Sequence, residues 1–294
     1  MRYIQSVLLL GALLCAATPG FAQLNLNKLF DNAKKVAGAA SKLQDANKEF
    51  TQDEEISLGQ GIAASVLGAS TLHGDQELQL YVNRVGRWIA SQSERPDLPW
   101  SFGVLETETI SAFAIPGGII FVSHGLLKRL NNESELAGVL AHEIAHVVQK
   151  HNLKAIQSTA SSEVWSSLGK EVAGQAIARR GNDAYGLKSA AADAGVGLVK
   201  DGVFLRPLDR SLEFEADRVG AVLAARAGYD PNGLVAVQQM LQAATAEESS
   251  ASHFLSSHPP PAERIAEMEK LAPKLLDRFA GQPLLEARYK GAVK

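Results

Sequence analysis

Residues 134–146, which read SELAGVLAHEIAH, constrain the fold of this chain more than any other stretch. Their apolar side chains recur at steps of three and four residues, which predicts a helix with one buried face. On that helix His142 and His146 project from the same side at the spacing that two imidazole ligands of one zinc ion need. Glu143 lies about 100° round from His142, where a carboxylate can take a proton from an attacking water. The alternative is two ordinary histidines on an ordinary helix, which the motif alone does not exclude.

This motif supplies two metal ligands, so a zinc site needs a third from elsewhere in the chain. The class of zinc protease that continues as His-x-x-Gly-x-x-His is excluded, because Gln149 and Asn152 stand at the Gly and second His positions. His151 lies about 140° round the helix from His146 and cannot share the ion unless the helix ends first. The third ligand is therefore expected from another helix.

Residues 213–217, which read EFEAD, offer two carboxylates at the same four-residue spacing. Glu213 is the predicted third zinc ligand. Asp217, on the same helix face, is predicted to accept a hydrogen bond from the far nitrogen of a ligand histidine and so to fix its tautomer. Glu215 points elsewhere and is expected to be solvated. Without the two histidines, this acidic run would read as a solvated helix face.

The combination of His-Glu-x-x-His with Glu-x-x-Ala-Asp resembles the HtpX and CAAX prenyl protease family of gluzincin metallopeptidases. Residues 111–122, SAFAIPGGIIFV, resemble the strand pair that precedes the active-site helix in that family and carries the edge strand for substrate. Ser111 departs from the pattern, since relatives often have Asn there. His258 followed by Pro259 and then Arg264 resembles the family's late His-Pro motif with a downstream arginine. The resemblance covers roughly residues 52 to 270.

The fold class expected is α+β, mainly helical, with a gluzincin-type zinc metallopeptidase domain and a small β-sheet beside the His-Glu-x-x-His helix. The function expected is a zinc metalloendopeptidase that binds one zinc ion per chain and hydrolyses peptide bonds with Glu143 as the general base. An endopeptidase is favoured over an aminopeptidase because the chain has no Gly-x-Met-Glu-Asn stretch to hold a free amino terminus.

His258 and Arg264 are further candidate catalytic residues, with two roles open for each. Either side chain can donate a hydrogen bond to the oxyanion of the tetrahedral intermediate, or can be a structural residue that fixes its loop. His258 has a third possible role as a reversible fourth zinc ligand that keeps the site latent.

Two competing functions remain open at the level of the sequence. One is a zinc-bearing chaperone or assembly factor whose peptide groove matters more than its latent proteolysis. The other is a purely structural zinc site, although such sites are normally closed by four Cys or His ligands. A non-ligand carboxylate at Glu143 favours chemistry over both.

Residues 1–22 are predicted to be a secretory signal peptide, with Arg2 before an apolar run and a cleavage site after Ala22. Cys15 is the only cysteine and is expected to be removed with this segment, with lipidation as the alternative. Export predicts a periplasmic protein, with outer-membrane association possible and unfolded or misassembled envelope proteins as substrates. The formal net charge of −3 predicts no binding to nucleic acid.

The remaining chain divides into an N-terminal helical arm at 23–50 and a metallopeptidase domain at 51–294. The arm is predicted to pack on the domain or to move freely, with peripheral membrane association as the alternative. Residues 151–206 are rich in Ala, Ser and Gly and are interpreted as either a mobile helical flap or a static helical hairpin. The last twenty residues are predicted to be a peripheral tail. No later stretch of the sequence reads as a transmembrane helix. Helices are predicted at 53–67, 75–91, 211–227, 230–246 and up to 271, and strands at 100–105, 112–115 and 119–122.

Overall fold

The computed structural model describes residues 50–159, 208–245, 258–271, 277–279 and 281–293. The predicted signal peptide, the N-terminal arm up to residue 49, the segment 160–206 of the proposed flap and the loop before His258 lie outside the described residues. The elements within these ranges are α1 (Gln52–Ala69), α2 (Gln76–Ala90), β1 (Ser101–Leu105), β2 (Ala112–Ile115), β3 (Ile119–Ser123), α3 (His124–Leu127), α4 (Glu133–Val148), α5 (His151–Thr159), α6 (Arg210–Arg226), α7 (Asn232–Thr245), α8 (Pro261–Leu271) and α9 (Glu286–Ala292).

The predicted class, mainly helical α+β with a small sheet, is confirmed by these elements. The strands begin and end within one residue of their predicted bounds, because alternation and a Pro-Gly-Gly turn are local signals. Gly117 and Gly118 have φ angles of 82° and 95°, a left-handed conformation that glycine adopts without strain. In the described residues no helix is both long enough and apolar enough to cross a membrane.

The three strands form one sheet in the order β1–β3–β2, with β1 parallel and β2 antiparallel to the central β3. The outer edge of β1 is covered. Gln79 of α2 exchanges two hydrogen bonds of 2.8 Å with the backbone of Val104, and Asn83 accepts one from Phe102 N. The outer edge of β2 pairs with no other strand among the described residues. Within the described part of the chain, the sheet therefore offers one edge for a further strand.

Helix α4 lies at the centre of the molecule, and each of its residues from Glu133 to Val147 is buried. Two glycines let neighbouring helices approach its backbone closely. A Cβ on Gly220 of α6 would lie 2.9 Å from His142 N, and a Cβ on Gly138 would lie 2.7 Å from Leu234 N of α7. The close approach at Gly220 brings the acidic face of α6 against the histidines of α4.

The first turn of α4 is anchored by the C-terminal segment, which corrects the prediction of a peripheral tail. The backbone N–H of Glu133 donates to Leu284 O at 3.1 Å, and the Glu133 carboxylate forms a salt bridge with Arg288 of α9. Tyr289 is 2% exposed and its hydroxyl donates to Leu127 O at 2.6 Å. Residues 281–293 are therefore part of the folded domain, a long-range arrangement that composition alone did not reveal.

Tyr289→Ala is expected to lower the free energy of unfolding by about 3 kcal/mol, since it leaves a cavity and removes a buried hydrogen bond. Urea unfolding followed by circular dichroism measures this change. Lys290→Ala, at the exposed neighbouring position, is the control and should stay within about 0.5 kcal/mol of the unmodified protein. A Tyr289→Ala protein as stable as that control would contradict the docking of α9.

Candidate metal centre

Four side chains from three separated parts of the chain converge where α4, α6 and the start of the segment leading into α8 meet. The candidate ligand atoms of His142, His146, Glu213 and His258 all lie within 4.8 Å of one another. His142 Nε2 lies 3.0 Å from His146 Nε2, and each is 3.5 Å from one carboxylate oxygen of Glu213. His258 Nε2 lies 3.8 Å from the same carboxylate. Two imidazoles and a carboxylate form a donor set typical of zinc enzymes.

Glu213 provides the test of whether these residues fit a metal ion. Its side chain is fully buried, and neither carboxylate oxygen has a hydrogen-bond partner among the described residues. Burial alone would raise the pKa of Glu213, but the surrounding imidazoles lower it well below its usual value. A buried carboxylate that stays ionised without hydrogen bonds needs a cation beside it. The donor set therefore fits a divalent metal.

Asp217 holds the ligand histidine on its far side. Its Oδ1 lies 3.0 Å from His142 Nδ1, which leaves His142 Nε2 facing Glu213. Burial and the Arg264 guanidinium lower the pKa of His142, but the hydrogen bond to Asp217 and the nearby Glu213 carboxylate outweigh both and raise it to about 9. A metal ion bound at Nε2 would replace the proton of the charged His142 imidazole as the positive charge between Asp217 and Glu213.

Arg264 of α8 is fully buried and faces Glu213 and Asp217 of α6. Its Nε donates to Asp217 Oδ2 at 2.9 Å and its Nη2 donates to Asp217 Oδ1, so the pair is bidentate. With its amide oxygen toward the guanidinium, Gln238 of α7 accepts from Nη1 and Nη2 at 3.2 and 3.1 Å. The donors of Arg264 are thus directed at Asp217, Gln238 and the nearby His142 ring.

His146 has a corresponding partner that sequence reasoning missed. Helix α4 ends at Val148, Lys150 takes a left-handed conformation with φ of 59°, and α5 begins at His151. This sharp turn brings His151 Nδ1 to 3.1 Å from His146 Nδ1, while His151 Nε2 lies 3.5 Å from Glu215. Burial lowers the pKa of His151, which favours its neutral form as a hydrogen-bond acceptor.

Glu215 was expected to be solvated, and its side chain is in fact partly exposed at 36% while it faces the buried His151. The helix does end before His151, yet His151 is not part of the candidate ligand cluster, because its Nδ1 contacts the far nitrogen, Nδ1, of His146. The sequence feature that could have predicted this contact is the pair Gln149-Lys150, which separates two helical stretches. The identity of residue 150 does not predict the left-handed conformation, because lysine rarely adopts that conformation.

Glu143 lies on α4 beside the four-residue cluster and is 3% exposed. Burial raises the pKa of its carboxyl to about 7, while the positive charges of His142 and Arg264 and a hydrogen bond from the Ala114 backbone oppose the rise. A carboxyl group with this pKa can both accept and release a proton near neutral pH. Its contact with Ala114 also connects the site to the open edge of the sheet.

A second group of metal-binding residue types lies at the carboxyl ends of β1 and β3. Donor atoms of His73, Glu106 and His124 are within 4.8 Å of one another, and His73 Nε2 is 3.6 Å from Glu106. His73 Nδ1, however, accepts a hydrogen bond from Asp75 N at 3.2 Å. That bond places the proton of the neutral ring on Nε2, the atom that faces Glu106, so His73 has no free lone pair for an ion there.

The fold and this site define a metallopeptidase in which one helix supplies two histidine ligands and a second helix supplies a glutamate ligand. Residues 76–272 match the model of Peptidase family M48, which covers more than half of the chain. The chain therefore belongs to peptidase family M48, a family of metal-dependent peptidases, and the resemblance predicted from the motifs is confirmed.

Curated relatives agree with this placement. The chain is 34% identical to the mitochondrial metalloendopeptidase OMA1 of Schizosaccharomyces pombe over 66% of this chain and 53% of that protein. It is 28% identical to the beta-barrel assembly-enhancing protease of Escherichia coli over 82% of this chain and 49% of that protein. A putative protease of the same name from Vibrio cholerae is 28% identical over 84% and 51%. The chain thus spans about half the length of these relatives.

His151→Ala is expected to weaken metal binding about 10- to 100-fold, because His146 loses the partner that fixes its ring and tautomer. Competition with a chromophoric chelator measures the affinity. The control is Lys154→Ala, an exposed position on the same helix, which should bind metal like the unmodified protein. Equal affinity in His151→Ala and the control would show that the imidazole contact does not orient His146.

Proposed function

We propose that this protein is an exported, zinc-dependent endopeptidase that hydrolyses peptide bonds of unfolded or misassembled envelope proteins. The observation that carries the proposal is the buried carboxylate of Glu213, which has no hydrogen-bond partner in the described part of the chain and lies beside two imidazoles and next to the non-ligand Glu143. Membership of a family of metallopeptidases supports the reaction class.

His142, His146 and Glu213 would hold the zinc ion. When bound, the zinc supplies a Lewis acid that lowers the pKa of water and polarises a peptide carbonyl. Asp217 and His151 act behind the ligands. Each engages the Nδ1 atom of one ligand histidine, and Nε2 of both rings faces the Glu213 carboxylate. This arrangement fixes the rings before substrate arrives, which lowers the reorganisation needed for binding.

Glu143 is the proposed general base. Its carboxylate takes the proton of the attacking water and then delivers it to the nitrogen of the leaving amine. A pKa of about 7, raised mainly by burial, suits both transfers. The hydrogen bond from the Ala114 backbone holds the carboxylate toward the strand β2, along which an extended peptide is proposed to bind by adding a strand to the sheet.

Of the two open roles for Arg264, we favour the structural one. Its guanidinium is fully buried and bidentate to Asp217, and it also meets Gln238, so it acts as a positioning residue behind His142. His258 is proposed to be a reversible fourth ligand, because its imidazole lies in the same cluster as the three ligands. A site closed by four protein ligands is characteristic of latent or structural zinc.

The envelope location and substrates rest on two kinds of support. The leader-like pattern of residues 1–22 favours export to the periplasm. Several relatives are named beta-barrel assembly-enhancing protease, which favours a role among outer-membrane proteins and a possible association with that membrane. The same name supports the second candidate, an assembly factor or chaperone with latent proteolysis, for which the His258 position is also suitable.

Two substitutions separate metal binding from chemistry. Glu213→Ala is expected to lose the metal, because two imidazoles alone hold it far more weakly, whereas Glu143→Gln should keep the metal but lose casein hydrolysis by several orders of magnitude. Elemental analysis and a fluorescent casein assay provide the two readouts. Stoichiometric zinc in Glu213→Ala would refute the third ligand. Full function of Glu143→Gln in a strain that lacks the gene for this protein would favour the assembly-factor function over the peptidase function.

His258→Ala distinguishes the two roles of His258 by the sign of its effect. If His258 closes the metal site as a fourth ligand, its loss should raise basal casein hydrolysis or self-cleavage while zinc is retained. If His258 donates a hydrogen bond to the oxyanion, the same change should lower hydrolysis about 10²- to 10³-fold. A lowered rate with full zinc content would therefore overturn the fourth-ligand role.

A further inference from the structure

The open edge of β2 presents the polar groups of alternate residues away from the sheet. Ser123 N donates to Ser111 O at 2.9 Å, so Ser111 faces β3, and the alternation of an antiparallel pair gives the same orientation to Phe113 and Ile115. The backbone N–H and C=O of Ala112 and Ala114 therefore point outward. Any strand that joins the sheet must pair with them.

One outward group of Ala114 is already bound by a side chain, and the other lies beside the site. The Ala114 N–H interacts with the carboxylate of Glu143 and helps to lower its pKa. The Ala114 carbonyl accepts a hydrogen bond of 2.7 Å from Nδ2 of Asn152. A peptide strand added at this edge would direct one of its own backbone N–H groups at that same carbonyl. Asn152 thus occupies the position of a substrate amide.

Asn152 is held in this position by the turn that ends α4. Lys150, in its left-handed conformation, starts α5 directly after the metal-binding helix, and His151 is buried against His146. The next side chain, Asn152, is partly buried and reaches across to the sheet. Its primary amide offers the same kind of N–H donor as a peptide bond. Its amide and a substrate strand cannot both lie there.

We propose that Asn152 occupies the substrate strand's place on Ala114 and must be displaced when a peptide binds, so that it lowers the affinity of this edge for every extended chain. This inference rests on the proposed peptidase function and names a competition step at its substrate edge. A peptide regains the lost hydrogen bond only if it carries a backbone N–H opposite Ala114. Chains with proline at that position cannot do so, and folded chains cannot present an extended segment, so both are disfavoured.

The expected magnitude follows from the net value of one hydrogen bond. Exchange of the Asn152 contact for a substrate contact is nearly neutral, whereas removal of the Asn152 donor lets the substrate bond count in full. Asn152→Leu, which is similar in size but has no donor, should therefore bind an extended peptide about 2- to 10-fold more tightly. Asn152→Asp should act in the same direction, since a carboxylate cannot donate to the carbonyl and is repelled by it.

The test measures binding in the Glu143→Gln background, so that affinity is read without hydrolysis. The probe is a fluorescein-labelled ten-residue casein peptide that the unmodified protein cleaves at one bond, with a series in which each backbone nitrogen in turn is methylated. Fluorescence anisotropy gives the dissociation constants with and without Asn152→Leu or Asn152→Asp. Lys154→Ala, exposed on the same helix, is the matched control. Thermal melts confirm that each variant is folded, and Asn152→Asp carries the test if Asn152→Leu does not fold.

The expected result is tighter binding in the Asn152 variants and unchanged binding in Lys154→Ala. At one position of the series, N-methylation should weaken binding to every variant by a similar factor, because that peptide lacks the N–H opposite Ala114, and the Asn152 variants should keep their gain, because either peptide must displace Asn152. Binding that is equal or weaker in the folded Asn152 variants would overturn the proposal, as would a series in which no methylation weakens binding. Failure of the unmodified protein to cleave casein or any library peptide would instead count against the peptidase function itself.

Discussion

The structure depends on how two buried acids on one face of α6 are neutralised. Glu213 and Asp217 are both fully or almost fully buried, and an unpaired charge at that depth would not be tolerated. Asp217 is neutralised within the protein by the bidentate Arg264. Among the described residues, Glu213 has imidazoles at 3.5 to 3.8 Å and the Arg264 guanidinium at 3.9 Å, and its oxygens have no hydrogen-bond partner there. The acid left without hydrogen bonds is the one that a metal completes.

The neutralisation of Asp217 by Arg264 also connects the packing of the helices to the geometry of the site. Arg264 brings α8 against α6, and Gln238 brings α7 to the same guanidinium, so three helices meet behind one ligand histidine. At the other end of α4, Glu133 gathers the hydroxyls of Tyr81 and Tyr229 at 2.8 Å together with Arg288. Because buried charged contacts hold α4 at both ends, its histidines stay in register with α6. The contacts in such a network depend on one another, so the loss of one is expected to weaken the others.

The parts of the site that sequence predicts are those with a local period. Each of these sequence signals is contained within about a dozen residues: the spacing of His142 and His146, the carboxylate pair on α6 and the strands around Gly117. The contacts that sequence missed depend on where distant segments meet, such as Tyr289 against Leu127, or on a backbone conformation unusual for its residue. Lys150 is the clearest case: its left-handed φ of 59° turns the chain so that His151 and Asn152 return to the site. No period or composition encodes that return.

The two edges of the sheet illustrate how a peptidase can keep one strand available without leaving it bare. The β1 edge is closed by Gln79 with a pair of 2.8 Å hydrogen bonds and by Asn83, and a further segment pairs with it. The β2 edge is covered at Ala114 by a single amide from Asn152. An exposed edge invites pairing with any extended chain, including a second copy of the protein. A single side-chain hydrogen bond is strong enough to satisfy the carbonyl at rest and weak enough for a correctly aligned backbone to replace. The interaction that protects the edge then also sets how tightly a substrate strand binds there.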